Sequence, residues 1–189
     1  MKTIIYMVRH AESPFEFGQE RTRGLSEEGF LAAKQLAKFF TDLDIHYIAS
    51  SPYTRAKQTI QYIADQKFLD IVEYEGLVER PIKGLDYKAP WDDLFEAIRK
   101  SFVDKDFALE GGESTWKAQQ RSIPIIEKLL NQQQGKNIVI GTHGNIMTII
   151  MNYYDDKYGF DFWNTTSKPD IYKMTFEQNK LEKVERIWK

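Results

Sequence analysis

At 189 residues the chain is long enough for one domain with a sizeable core, and a 42% apolar content with twelve Phe, ten Tyr and four Trp is ample to fill it. The 26 Lys and Arg are matched by 28 Asp and Glu, a formal charge of -2, so no basic field for a nucleic-acid partner is present. The lack of cysteine excludes disulfides, thiolate catalysis and Cys-based metal sites.

Thr3–Val8 reads as the first strand, apolar without polar alternation, the pattern of a parallel strand covered on both faces. Its five-residue apolar run, Ile4–Val8, is too short for the apolar stretch of a signal peptide. No stretch approaches the roughly 18 apolar residues of a membrane span, so a soluble, cytoplasmic protein without a membrane partner is expected.

Residues 11–25 form a polar and aromatic loop. Ser26 then reads as an N-cap, with Glu27 and Glu28 in the first turn of a helix whose apolar stripe is Phe30, Ala33, Leu36, Ala37 and Phe40. Ile45–Ala49 is the second strand. Ser51-Pro52 reads as a helix start, a capping hydroxyl followed by proline at the first helical position, with Ala56, Ile60, Ile63 and Ala64 facing the sheet. Ile71–Glu73 is a third strand.

Residues 76–112 carry Gly76, Pro81, Gly84, Pro90, Gly111 and Gly112, and read as an insertion over the active face with an amphipathic helix from about Trp91 to Phe102. Ser114 caps a helix running towards Leu130, which Pro124 is expected to kink. Asn137–Gly141 is a strand and Asn145–Tyr154 a helix. Ile171–Phe176 and Leu181–Ile187 read as an antiparallel hairpin around Gln178-Asn179. That hairpin, with Trp188 near its end, either offers an edge for dimer pairing or packs back on the sheet, so monomer and homodimer both stay open. The alternation predicts a single α/β domain over 1–189, a three-layer αβα sandwich with a mainly parallel sheet.

Two of the three histidines directly follow strands. Arg9-His10 ends the first, and His143 ends Ile138-Val139-Ile140-Gly141-Thr142. Ligands of open α/β sheets bind outside the carboxyl ends of the strands, so Arg9, His10 and His143 suit an anion, with phosphate the natural candidate. A histidine with one unprotonated ring nitrogen can accept a phosphoryl group, and an adjacent arginine offers a fork matched to phosphate oxygens. Arg55 lies one turn into the helix after the second strand, near an N-terminus that already favours anions. The bland alternatives are a surface Arg9, a hydrogen-bonded loop His10, a solvated helix Arg55 and a structural His143 in a turn between Gly141 and Gly144. Glu79, one of 28 acidic residues, could supply a proton to a leaving oxygen. There is no His-Glu-x-x-His, and His46 opens a strand without ligand spacing, so no metal and no cofactor are expected.

Taken together, Val8-Arg9-His10-Ala11-Glu12-Ser13, Leu25-Ser26-Glu27-Glu28-Gly29, Ser50-Ser51-Pro52-Tyr53-Thr54-Arg55-Ala56-Lys57-Gln58-Thr59, Leu77-Val78-Glu79, Gly112-Glu113-Ser114 and Thr142-His143-Gly144 resemble the histidine phosphatase superfamily, branch 1, of phosphoglycerate mutase-like fold. The resemblance spans residues 4 to about 150. It implies a metal-independent phosphomonoesterase in which His10 becomes a phosphohistidine, Arg9, Arg55 and His143 form the phosphate pocket, and Glu79 is the proton donor that later activates water. A charged His143 would serve that pocket, and a small phosphorylated metabolite is the implied substrate.

Two departures bear on the reaction. Family mutases carry an asparagine where Glu16 stands, and an adjacent arginine pair in the insertion that residues 80–112 lack. Both favour a phosphatase over the alternative, a 2,3-bisphosphoglycerate-dependent phosphoglycerate mutase; a non-catalytic phosphate-binding module is the second alternative. Ser13, Phe15, Phe17, Arg21 and Arg23 of the first loop, Gly144, and Trp91, Phe95 and Phe102 of the insertion are candidates to line the substrate pocket; the aromatics could equally be core.

Overall fold

Alternate residues of β1 (Lys2–Arg9) face opposite sides of the sheet, and both sides are covered. Ile5 and Met7 enter one core with Ile138 and Ile140 of β4 (Asn137–Thr142), whereas Tyr6 and Val8 enter the other with Val139. This explains why the strand shows no polar alternation. The computed structural model describes residues 1–188.

Six strands form one sheet, in the order β3-β2-β4-β1-β5-β6. Those not yet placed are β2 (Tyr47–Ser50), β3 (Ile71–Glu73), β5 (Asp170–Glu177) and β6 (Lys180–Arg186). β1, β2, β3 and β4 run parallel; β5 and β6 pair antiparallel at one side, as the predicted hairpin requires. On one face lie α1 (Glu27–Phe39) and α2 (Thr54–Lys67), which bury Leu36, Ile60 and Ile63. The other face is covered by α4 (Thr115–Gln132) and α5 (Gly144–Tyr154), through Ile126, Leu129, Ile146 and Ile150. The three-layer α/β architecture is therefore as the alternation predicted.

A third, smaller core joins α3 (Trp91–Val103) to α6 (Phe160–Asn164) through Ile82, Ala97, Ile98, Phe160 and Trp163. Segment 76–113 is tied to α4 at both ends by one residue. Arg121 makes a bidentate pair with Glu113 and donates from Nη1 to the Gly76 carbonyl at 2.7 Å.

Two local expectations change. The second helix starts at Thr54, two residues later than Ser51-Pro52 suggested. Ser51 donates its N–H to the Gly141 carbonyl and so still belongs to the sheet end, while its Oγ accepts from the Tyr53 N–H in a bend before the helix. α4 continues through Pro124, which sits on the exposed face. α6 was not anticipated: five residues are too few to show a helical period. At the other end of the chain, Trp188 packs against the α1/α2 core beside the edge strand β6. Among the described residues no helix is long and apolar enough to cross a membrane.

Gly29 shows how tightly the first loop is held. The Ser26 side chain caps α1 by accepting the Gly29 N–H at 3.0 Å, and the Ser26 N–H bonds the Glu12 carbonyl. A Cβ at Gly29 would lie 2.3 Å from that carbonyl oxygen. Alanine would gain about 1 kcal/mol of helix propensity, but the obstacle is backbone already fixed by a hydrogen bond. Gly29→Ala is therefore expected to destabilise by about 1–3 kcal/mol in chemical denaturation, the usual cost of overpacking; a gain in stability would show that the loop is free to move.

Candidate active site

The sheet register assembles the site. Arg9 stands opposite Thr142, and Ser50 opposite Gly141, on three neighbouring parallel strands. The next residues, His10, His143 and Ser51, therefore leave the sheet at one level. The His10 N–H bonds the Thr142 carbonyl at 3.0 Å, and the two imidazole rings lie 5.3 Å apart between centroids.

His10 is held in one tautomer. Its Nδ1 lies 2.7 Å from the Ala11 carbonyl, which can only accept, so Nδ1 carries the proton and Nε2 keeps its lone pair. The Ala11 N–H in turn donates to Thr59 Oγ1 at 2.9 Å. Arg55 donates from Nε to His10 Nε2 at 3.3 Å. Burial, then Arg55, Arg9 and Lys168, hold the His10 pKa well below the ordinary histidine value, so the ring is neutral.

His143 is fully buried, with its Nε2 2.8 Å from Ser51 Oγ. Burial and the charge of Arg55 also push its pKa well down. Without a bound anion His143 is thus neutral, because desolvation and the neighbouring arginines keep a proton off the ring; the charge expected of it requires a bound phosphoryl group.

Arg9 rests on the first turn of α5. A Cβ at Gly144 would lie 2.7 Å from the guanidinium carbon, so Gly144 is needed for this approach. Arg9 Nη1 bonds both the carbonyl and hydroxyl of Thr166. Among the described residues, Arg9 Nε and His143 Nδ1 are buried without a protein partner. Arg55, only 1% exposed, lies over the Tyr53 ring at 5.1 Å and donates to both the backbone carbonyl and the carboxylate of Glu20.

Glu79 reaches the same end of the sheet from the segment after β3. Its carboxylate accepts the N–H groups of Asn145 (3.0 Å) and Ile146 (2.8 Å) at the start of α5, and that of Arg80 (2.9 Å). Its charge acts on Arg9, Arg55 and Lys168. Arg80 is buried and bonds Ser101 and Asn145, and desolvation lowers its pKa to about 10 without removing its charge at neutral pH.

The structure thus gathers Arg9, His10, Arg55, Glu79, His143 and Gly144. Ser13 and Arg23 join them at the edge, with Arg23 Nη1 donating to the Ser13 hydroxyl and carbonyl at 2.8 and 2.9 Å. Arg21 is engaged elsewhere, in a bidentate exposed pair with Glu75. Phe95 is packed on Phe160, with centroids 4.8 Å apart, and Phe102 packs against the core, so both are structural. Phe15, Phe17 and Trp91 stay exposed.

Sequence reasoning missed Glu20, Lys168, Thr166 and the contact of Ser51 with His143. Only the last had a local signal, a hydroxyl directly after a strand.

The sequence model of the histidine phosphatase superfamily (branch 1) matches residues 5–186. The chain is 29% identical over 161 residues to a metal-independent phosphoserine phosphatase of Arabidopsis thaliana, covering 78% of this chain and 67% of that protein. It is 28% identical to a 2,3-bisphosphoglycerate-dependent phosphoglycerate mutase of Treponema denticola, covering 80% and 78%. In fold it is similar to a mycobacterial glucosyl-3-phosphoglycerate phosphatase, with a TM-score of 0.76 and 19% identity over 98% of this chain and 97% of that one.

The two buried neutral histidines make stability pH-dependent. Unfolded histidine titrates near about 6.5; both folded values lie well below it. As pH falls through the unfolded value, the unfolded chain takes up protons that the folded chain refuses. Stability is therefore expected to fall from pH 7 towards pH 5, by up to about 1.4 kcal/mol per pH unit for each histidine. Denaturant midpoints at pH 7.0 and 5.5 should separate less in His143→Gln than in the native sequence; equal separations would contradict the neutral assignment.

Proposed function

The chain belongs to the histidine phosphatase superfamily, branch 1, and from that premise we propose that it hydrolyses phosphomonoesters of small metabolites through a phosphohistidine at His10. The observation that carries this reading is the fixed tautomer of His10: Nδ1–H is committed to the Ala11 carbonyl, so the Nε2 lone pair is presented among Arg9, Arg55 and His143.

In the first step Nε2 attacks phosphorus and the P–O bond to the leaving group breaks. A proton that arrives with the substrate, as in its monoanion, passes through the Glu79 carboxylate to the departing oxygen. In the second step Glu79 removes a proton from water, the new P–O bond forms, and the electron pair of the N–P bond returns to Nε2. Arg9, Arg55 and His143 neutralise the equatorial oxygens, a role in which each preorganised donor is worth roughly 10²–10³ in rate. A bound phosphoryl anion offsets the field of the arginines and favours a proton on His143, which then donates. The Thr166, Gly144, Ser51 and Thr59 contacts hold these groups in place.

Relatives of this chain include both a phosphatase and a mutase. Phosphatase chemistry is supported here by the acidic loop residues: Glu16 is exposed beside the site, and Glu20 already occupies Arg55. A second phosphate group on the substrate would meet repulsion there.

Turnover of para-nitrophenyl phosphate is expected to survive excess EDTA and to fall by at least about 10³-fold in His10→Ala, as removal of a nucleophile does. Acid-labile, alkali-stable label should be trapped on the native protein during turnover and not on the variant. Loss of activity with EDTA, or an unlabelled native protein during turnover, would defeat the mechanism. Stimulation only by 2,3-bisphosphoglycerate would favour a mutase.

Glu20 supplies a second test. A substrate dianion must share Arg55 with this carboxylate, so Glu20→Gln should lower KM by about twofold to fivefold, the worth of one partly exposed ion pair. A raised KM would instead make Glu20 a support that positions Arg55.

A further inference from the structure

A cavity of 460 Å³ opens beside the catalytic groups, and its lining does not resemble a general mouth for phosphate esters. Four of its side chains are cations, Arg23, Lys83, Lys88 and Lys168, and none is acidic. Arg23 and Lys168 also act electrostatically on Arg55, and Lys168 on His10, so these two mark its inner end. Lys88, Trp91 and Leu94, from the segment before α3 and its first turn, mark the outer end.

The cations differ in what already holds them. Arg23 is shared with Glu20 and Ser13, and Lys83 donates to the carbonyls of Gly84 and Tyr87. Lys88 and Lys168 have no acidic partner among the described residues. The Lys88 ammonium instead lies 5.0 Å from the centre of the Phe17 ring. Lys168 is exposed to solvent, and partial desolvation followed by the charges of Arg9, Arg23 and Arg55 lowers its pKa, the condition of a charge that a bound anion would relieve.

The walls between these cations are aromatic and unburied: Phe15 is 72%, Phe17 43% and Trp91 61% exposed. Three large rings left in solvent around one concavity are a costly arrangement unless something planar covers them. The acidic loop residues Glu16 and Glu20 line the adjacent cavity, which shares Phe15, Phe17 and Lys83 with this one, and Glu20 reaches the cationic cavity only through its pair with Arg23.

We propose that this cavity is a leaving-group subsite for an aromatic phosphomonoester that carries a second anionic group, the ring lying against Phe15, Phe17 and Trp91 and the anion between Lys88 and Lys168. The inference rests on the phosphomonoesterase reading and narrows it to a substrate class. The phosphoryl group stays at His10; the distal anion takes no part in the reaction and contributes only binding.

The test compares 4-(carboxymethyl)phenyl phosphate with its methyl ester, whose phenols are similar leaving groups. At low salt the acid is expected to have the higher kcat/KM by about fivefold to tenfold, what two partly exposed ion pairs supply. That ratio should collapse towards unity in the Lys88→Gln/Lys168→Gln variant, and in the native protein at 1 M salt, where screening reaches about 3 Å. Trp91→Ala should weaken both aryl esters alike.

Equal kcat/KM for acid and ester in the native protein would overturn the subsite while leaving the phosphatase intact. A ratio that survives both the lysine substitutions and high salt would remove these lysines from it, and undiminished aryl turnover in Trp91→Ala would remove the aromatic requirement. Hydrolysis of neither compound, with no phosphohistidine trapped, would overturn the phosphatase reading and the subsite with it.

Discussion

The parallel register of β1 against β4, with β2 on β4's other side, is the constraint on which the rest of the molecule depends. Parallel neighbours about 4.8 Å apart bring their carboxyl ends out side by side. Once Arg9 faces Thr142 and Ser50 faces Gly141, the histidines and Ser51 have no other place to go. A slip of one residue would send each inward side chain to the opposite face. It would take Ile5, Met7, Ile138 and Ile140 out of one core and mix them with the other. The cost of that exchange secures the site: apolar packing on both faces fixes the register, and the register fixes the distance between the imidazoles.

Charge is then concentrated where water is scarce. Arg9, Arg55 and Arg80 are all at least nine-tenths buried, and each is met by oxygen acceptors or by a carboxylate. A buried cation without such partners would be several kcal/mol too costly. The same crowding explains the histidines. Both are desolvated, His10 in the field of Arg55 and Arg9 and His143 in that of Arg55, Arg23 and Arg9, so the protein stabilises their neutral forms. For the nucleophile role proposed for His10 that neutrality would be a chemical requirement, because a protonated Nε2 has no lone pair to give. Glu20 balances the charge of Arg55, and it ties the first loop to that buried arginine.

The periphery is built differently from the centre. Around His10 the polar groups are hydrogen-bonded into the strands or the helix starts, apart from Arg9 Nε, Thr142 Oγ1 and His143 Nδ1. Around the mouth, the first loop and the segment before α3 expose Phe15, Phe17 and Trp91 between lysines with few partners. On the reading proposed above, the buried centre would serve phosphoryl chemistry and the exposed, cationic rim the choice of leaving group. The small core of Ile82, Ala97, Ile98, Phe160 and Trp163 supports that rim independently of the two sheet cores.

Strand and helix periods, the Ser26 and Ser114 caps and the order of the motifs were legible in the amino-acid sequence because each depends on residues within a few positions of one another. On that basis the α/β class and the two histidines at the strand ends were legible, while Arg9, Arg55 and Glu79 were singled out only by the resemblance that the motifs carry together. What the sequence could not separate were residues of the same type with different distant neighbours. Arg21 and Arg23 are two positions apart, yet Glu75 captures one and Ser13 the other. Phe95 is packed by Phe160, 65 positions further along the chain, while Trp91, one helical turn earlier, is left in solvent. Glu20 and Lys168 came to the site only through packing across the fold, and the neutral state of His143 follows from charges contributed by three separate segments. Burial and Coulomb fields are sums over spatial neighbours, and only the tertiary structure decides which those are.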